Sequence, residues 1–174
     1  FRAMAGGDLG RCYLHQGDLG QALAILEENE HYRAKYKMKR PFPSLRNGLV
    51  GAYLLAAEQS DQNERENWLE KTGRSSREAL NHGKAYRIGL AEAMRLKGTY
   101  EWLRHKPASA QKYWEKSLGL AEEMGMRYEL GMTHLEMGQR LKDRGHLEKA
   151  EAIFAEIGAE FDLAQARESL KRLQ

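Results

Sequence analysis

Histidine and cysteine are the residues of this chain that could bind a metal ion. Its six histidines form no HxxH or HxxxH pair, the spacings that place two ligands on one helix face; they are His15, His31, His82, His105, His134 and His146. Cys12 is the only cysteine, so a cysteine-rich zinc site is excluded. We interpret the histidines as exposed or helix-capping residues and predict no metal site.

The acidic and glycine-rich stretches lack the arrangements that catalysis requires. GGDLG at residues 6–10 has the glycines of a phosphate-binding loop but no lysine. Glu27-Glu28 and Glu122-Glu123 are adjacent pairs, whose side chains point about 100° apart on a helix. Such pairs suit a solvent-exposed face, not the opposed acid and base of an active site. We therefore predict no catalytic residue and no cofactor here.

Basic residues cluster at one predicted helix end, interleaved with Tyr32 and Tyr36. They are Arg33, Lys35, Lys37, Lys39 and Arg40. Their alternating spacing spreads the charges around a helix, so a solvated helix end is the favoured interpretation. An acidic partner, such as a peptide or another domain of the same protein, is the alternative. The net charge of +3 is too small to favour nucleic acid as that partner.

A repeated pattern of small and large residues indicates the elements that carry these side chains. A glycine, then alanine twelve positions later, then a large apolar residue four further on occurs three times: Gly10/Ala22/Leu26, Gly98/Ala110/Trp114 and Gly138/Ala150/Phe154. Small residues let two antiparallel helices approach closely. Repetition of this pattern along the chain predicts an all-α solenoid of helical hairpins, whose function lies on its surfaces.

The chain from residue 1 to 174 is predicted to be one domain of four hairpins and a capping helix. The hairpins cover residues 2–38, 44–82, 85–124 and 127–157, and the capping helix covers residues 160–173. The predicted helices span residues 2–16, 19–38, 44–59, 63–82, 85–104, 108–124, 127–144, 146–157 and 160–173.

Several local features are predicted within these helices. The first helix turns Met4, Leu9, Tyr13 and Cys12 inward, and the third, apolar on nearly every side, is central. The predicted helix caps are Asp18 and Ser44, and Gly145 is predicted to end the seventh helix. Gly73 with Ser75-Ser76 predicts a kink or a break in the fourth helix.

Stacked hairpins place their first helices on a concave side, which predicts a binding groove. The candidate groove residues are Arg11, His15, Thr99, Trp102, Gln139 and Lys142, together with Leu14, Ala52, Leu55 and Leu103. Trp102 has two interpretations that the sequence leaves open: an anchor for a bound partner, or a side chain packed beneath the neighbouring hairpin. For Tyr128 and His134, packing is favoured over binding.

Two of these segments resemble tetratricopeptide (TPR) repeats. That family pairs an apolar and a small residue on its first helix with alanine and a large residue on its second. The matching residues are Leu9-Gly10, Tyr13, Ala22 and Leu26, then Met137-Gly138, Leu141, Ala150 and Phe154. The copy at Gly98, Ala110 and Trp114 departs from the family, with Lys97 and Glu101 at apolar positions. The resemblance implies a TPR-like α-α superhelix.

The last ninety residues are similar to a narrower group of such repeats. RLKGTYEWLRHKPASAQKYWEKSLGLAEEMGMRYELGMTHLEMGQRL, followed by HLEKAEAIFAEIGAEFDLAQAR, resembles the region after the ATPase module in large bacterial signalling proteins. These include adenylate/guanylate cyclases, related kinases and maltose-operon activators. The resemblance implies a cytoplasmic segment of a longer protein, an expectation that also fits a chain starting at Phe1 within a predicted helix.

These observations predict a non-catalytic domain that binds a protein or peptide segment, or docks other domains of its parent chain. Two alternatives stay open: a small-ligand sensor of the maltose-activator type, and a homo-oligomerisation module. No run approaches the ~20 apolar residues that a membrane span requires, so no membrane partner is expected.

Overall fold

The computed structural model describes residues 2–38 and 42–173. Lys39 and Arg40 of the predicted basic cluster lie outside the described residues, and the side chain of Met4 lies outside the described part as well.

The described residues form helices and no strand, which confirms the predicted all-α class. Along residues 2–38 and 42–173 the helices are α1 (Arg2–His15), α2 (Leu19–Lys35), α3 (Pro43–Gln59), α4 (Gln62–Tyr86), α5 (Leu90–Leu103), α6 (Pro107–Glu123), α7 (Arg127–Leu141), α8 (Arg144–Ile157) and α9 (Glu160–Lys171). Within α1–α4 and within α6–α9, each helix packs against the next one along the chain, because the short turns between them leave little choice of neighbour.

The chain divides into two compact units, Phe1–Tyr100 and Glu101–Gln174. In the first unit, α3 packs against α1, α2 and α4 and is buried along most of its length, as predicted for the central helix. In the second unit, α7 packs against α6 and α8, and α9 packs on α8. The main core of the second unit contains Phe154, Leu147 and Leu163.

Missing side chains allow the close helix packing in both units, as the repeat pattern predicts. A Cβ atom on Gly10 would lie 2.4 Å from Cγ of Leu26, which is fully buried. A Cβ atom on Gly138 would lie 2.6 Å from Cγ and Cδ2 of Leu147. The residue that α8 packs into the gap at Gly138 is thus Leu147, one turn before Ala150.

The first helix buries a face that differs in part from the one predicted, although Tyr13 packs against the core as predicted. Cys12 is exposed and Leu9 is 45% exposed, so their predicted inward orientation is wrong. The buried face contains Gly6, Gly7 and Gly10 instead. A Cβ atom on Gly7 would lie 2.6 Å from the backbone nitrogen of Leu45, so α1 packs its glycine face against the backbone of α3. This close backbone contact turns Leu9 and Cys12 away from the core.

An aspartate side chain caps the first turn of α2, of α4 and of α8. Asp18 accepts a hydrogen bond from the Gln21 backbone amide and caps α2 as predicted. Asp61 caps α4 in the same manner. The predicted cap at Ser44 is wrong, because α3 begins at Pro43 and contains Ser44. A proline in the first turn has no amide hydrogen to satisfy there.

The turn between α7 and α8 also differs from the prediction. Gly145 does not end α7 but lies inside α8. Lys142 takes the left-handed conformation, with φ of 58°, and Asp143 caps α8 by accepting a hydrogen bond from the His146 amide. The aspartate cap therefore places the start of α8 two residues earlier than predicted, at Arg144 instead of residue 146.

The fourth helix runs without interruption from Gln62 to Tyr86, so the predicted break at Gly73 and Ser75-Ser76 does not occur. A Cβ atom on Gly73 would lie 2.5 Å from the Tyr100 hydroxyl, so this glycine makes room for Tyr100. The predicted start of the fifth helix at residue 85 is also wrong. The helical structure is interrupted after Tyr86, and α5 begins at Leu90. Gly89 lies in the turn between the two helices with a φ of 76°, a backbone conformation that glycine adopts easily.

Candidate functional site

In the first unit, the predicted groove residues Arg11 and Thr99 contact other protein groups. Arg11 lies 3.1 Å from the buried carboxylate of Glu92, which also accepts a hydrogen bond from Asn47 at 2.9 Å. Thr99 is 4% exposed, and its hydroxyl donates to the Arg95 carbonyl. His15 is exposed. Arg11 and Thr99 therefore contribute to internal packing and charge pairing in this unit.

In the second unit, Trp102 packs against other side chains of that unit. Its ring lies 5.8 Å from the ring of Trp114, between centroids, and it contacts the core cluster of Ala110, Trp114 and Met137. Tyr128 likewise packs against Phe154, with ring centroids 6.2 Å apart. The side chain of Trp102 remains partly exposed, so packing in the core cluster accounts for much, though not all, of its surface.

Gln139 and Lys142 lie together at a cavity of about 260 Å³ between α7, α8 and α9, which we call the α7–α9 cavity. Its remaining lining residues are Gly138, Leu147, Ser169, Arg172 and Leu173. The amide of Gln139 donates to the Ser169 hydroxyl at 2.9 Å, which links α7 to α9.

The α7–α9 cavity combines two cations with apolar surface. Lys142 and Arg172 are exposed, and Arg172 lies 3.3 Å from Glu168 on its own helix. Leu147 and Leu173 supply the apolar part of the lining. The residues at the end of α9 were not among the predicted groove residues, because α9 was predicted only to cap the stack. Their spacing on one face of an amphipathic helix was the available signal.

Two histidines from different helices, His134 and His146, are in contact. His134 on α7 and His146 on α8 face each other with their Nδ1 atoms 2.8 Å apart. Twelve residues separate them along the chain, which is not the spacing of two metal ligands on one helix. Only the packing of the hairpin therefore reveals the pair. The side chain of His134 is 6% exposed, so it packs against protein, and it also makes this polar contact with His146.

The pair lies in an open groove of about 540 Å³, which we call the histidine groove. Its other lining residues are Glu115, Leu118, Gly119, Glu122, Lys149, Ala152 and Ile153. Burial lowers the pKa of His134 to about 4, with the positive charges of His146 and Lys149 adding to the effect. At neutral pH His134 is therefore uncharged.

The described part of the basic cluster is partly committed to local contacts. The Arg33 guanidinium is held at 2.6 Å by Glu30, and this hydrogen bond raises the pKa of Arg33. Lys35 and Lys37 are exposed, and the Lys35 ammonium lies 5.7 Å from the centre of the Tyr36 ring. The acidic-partner alternative for this cluster stays a prediction.

Within residues 2–38 and 42–173, no group of three or more histidine, cysteine, aspartate or glutamate side chains is arranged to hold a metal ion. None of the helices in these same segments is both long and apolar enough to cross a membrane. A scan of the chain against models of known protein families finds no match, and a search of curated proteins finds none either.

Proposed function

We propose that the chain is a non-catalytic TPR-like interaction domain that binds an acidic segment of a partner protein at the α7–α9 cavity. The observation that carries this proposal is the meeting of Gln139 and Lys142, both candidate groove residues, with Arg172 around one cavity. Helical-hairpin proteins bind through surfaces built from side chains of several helices, and this cavity draws on three.

The lining of the cavity indicates the chemistry of the bound segment. Lys142 and Arg172 would pair with carboxylates, and Arg172 can exchange its exposed partner Glu168 for a carboxylate of the ligand at little cost. Leu147 and Leu173 would contact an apolar side chain beside those carboxylates. An Asp- or Glu-rich segment that contains leucine fits both features.

The wider role follows from the resemblance of the last ninety residues. We infer a cytoplasmic scaffold or regulatory segment of a multidomain bacterial signalling protein, such as a nucleotide cyclase with an ATPase module. The bound acidic segment then belongs to a partner or to another domain of the same protein.

Peptide arrays test the binding. One array contains short peptides of aspartate and leucine, and a matched array has asparagine at every aspartate. The labelled protein should bind the aspartate array and not the asparagine array. Replacing both Lys142 and Arg172 by glutamine should weaken this binding at least ~10-fold, since both charge partners are lost.

Lys112→Gln is the matched control, because Lys112 is an exposed cation on α6 that does not line the cavity. Its binding should equal that of the unmodified protein. Equal binding to both arrays, or unchanged binding by the Lys142→Gln/Arg172→Gln variant, would refute the assignment of the cavity.

A further inference from the structure

The proposed function makes no use of the His134–His146 pair. We propose that this pair is a transition-metal site suited to Cu²⁺, with the remaining coordination positions open to water or to a ligand from another molecule. Imidazole nitrogen is a good ligand for copper, and two such nitrogens already face each other.

Both ligands are held in place by helical backbone. His134 lies within α7, and His146 lies in the first turn of α8, where its amide is bound by the capping carboxylate of Asp143 at 3.0 Å. Because α7 and α8 pack along each other, the separation of the two rings is fixed by the hairpin. A site preorganised in this way loses little freedom when it binds an ion.

The spacing of the two nitrogens favours one coordination geometry. Ligand nitrogens at about 2.0 Å from a metal lie about 2.8 Å apart when they occupy neighbouring corners of a square, and about 3.3 Å apart in a tetrahedron. The Nδ1 atoms of His134 and His146 are 2.8 Å apart. The pair therefore matches the nitrogen spacing of a square-planar or tetragonal Cu²⁺ site. At present the two nitrogens are hydrogen-bonded to each other, so to bind the ion the ring with hydrogen on Nδ1 changes to the Nε2–H tautomer and both rings turn toward the metal.

The surroundings suit a divalent cation. Neutral imidazole is the form that binds metals, and the burial of His134 favours its neutral form. Glu115 and Glu122 line the same groove and outnumber its one cation, Lys149. The groove is open, so water or an exogenous ligand can reach the positions that the two histidines do not fill.

Copper titration of the full chain tests this inference. Electron paramagnetic resonance should show one axial Cu²⁺ signal with splitting from two nitrogens, and calorimetry should give one site tighter than any other. His146→Ala should weaken that site at least ~10-fold and remove the two-nitrogen splitting. His146 is only partly buried at the start of α8, so this variant is expected to fold.

His105→Ala is the control, because His105 is exposed and lies outside the histidine groove. It should leave the copper affinity unchanged. As a second measurement, Cu²⁺ should raise the melting temperature of the unmodified chain more than that of His146→Ala, since only the folded hairpin holds both ligands together. Equal copper affinity of the unmodified chain and His146→Ala, or the absence of a two-nitrogen signal, would overturn the proposal without touching the α7–α9 cavity.

Discussion

Gly138→Ala is predicted to destabilise the second unit even though alanine is the better helix former. The added Cβ would lie 2.6 Å from Cγ and Cδ2 of Leu147 and 2.9 Å from its backbone nitrogen. Ordinary contacts are about 3.5–4.0 Å, so α7 and α8 would have to separate by about 1 Å. Overpacking of this kind costs about 1–3 kcal/mol, against a helix-propensity gain of about 1 kcal/mol. We expect a net loss of up to about 2 kcal/mol in the free energy of unfolding.

Gly119→Ala is the matched control within the same unit. Gly119 lies inside α6, is exposed, and has no neighbouring atom within 4 Å of the position that a Cβ would take. The same chemical change here gains helix propensity and meets nothing, so we expect stabilisation by about 1 kcal/mol. The two variants should therefore differ in sign.

Urea and thermal unfolding followed by circular dichroism at 222 nm measure both effects. For a chain of this size, 1 kcal/mol shifts the melting temperature by about 2–4 °C, so the two variants should differ by about 2–12 °C. The reasoning is refuted if Gly138→Ala stabilises the protein as much as Gly119→Ala, because the close approach of Leu147 would then have no energetic consequence.

Three further predictions concern charge pairs, a helix cap and pH. Glu92→Ala removes the buried partner of Arg11 and should lower the free energy of unfolding by about 3 kcal/mol in urea titrations, whereas the exposed Glu70→Ala should change it by less than about 0.5 kcal/mol. Asp61→Ala leaves two amides of α4 without their acceptor and should cost about 1 kcal/mol, seen as a lower urea midpoint. Burial and nearby cations lower the pKa of His82 in the folded protein. As the pH falls below about 6.5, His82 is therefore protonated in the unfolded chain before it is protonated in the folded one, which lowers the free energy of unfolding. Stability measured from pH 7 to 5 should therefore fall less in His82→Gln than in the unmodified chain, and an equal fall would contradict this.

The helices and most of their limits follow from local sequence signals. Asp18 caps α2 through its own side chain, and Gly10 leaves the gap that Leu26 fills, so both features depend on residues that the sequence shows directly. The error in the boundary between α7 and α8 occurs where two local sequence signals favour different positions. At Gly145 the sequence offers a flexible glycine and an aspartate two positions earlier, and the hydrogen bond of Asp143 to the His146 amide decides the boundary.

The candidate site was only partly predictable, because its residues come from different helices. Periodicity predicts Gln139 and Lys142 on one helix, but it does not reveal that Ser169 of α9 and Arg172, which follows α9, line the same cavity. The orientation of α1 was misjudged for a related reason. Hydrophobicity favoured Leu9, whereas close backbone packing required the glycines of α1 to face α3.

The sequence by itself determined that the described segments are helical and that small residues allow neighbouring helices to approach closely. Helix periodicity, capping side chains and glycine are properties of a few consecutive residues, so they act before any tertiary contact forms. Only the tertiary structure decided that His134 meets His146 and that Trp102 packs on Trp114. Such contacts depend on how far one helix is shifted along the next, and that shift is set by the packing of whole faces.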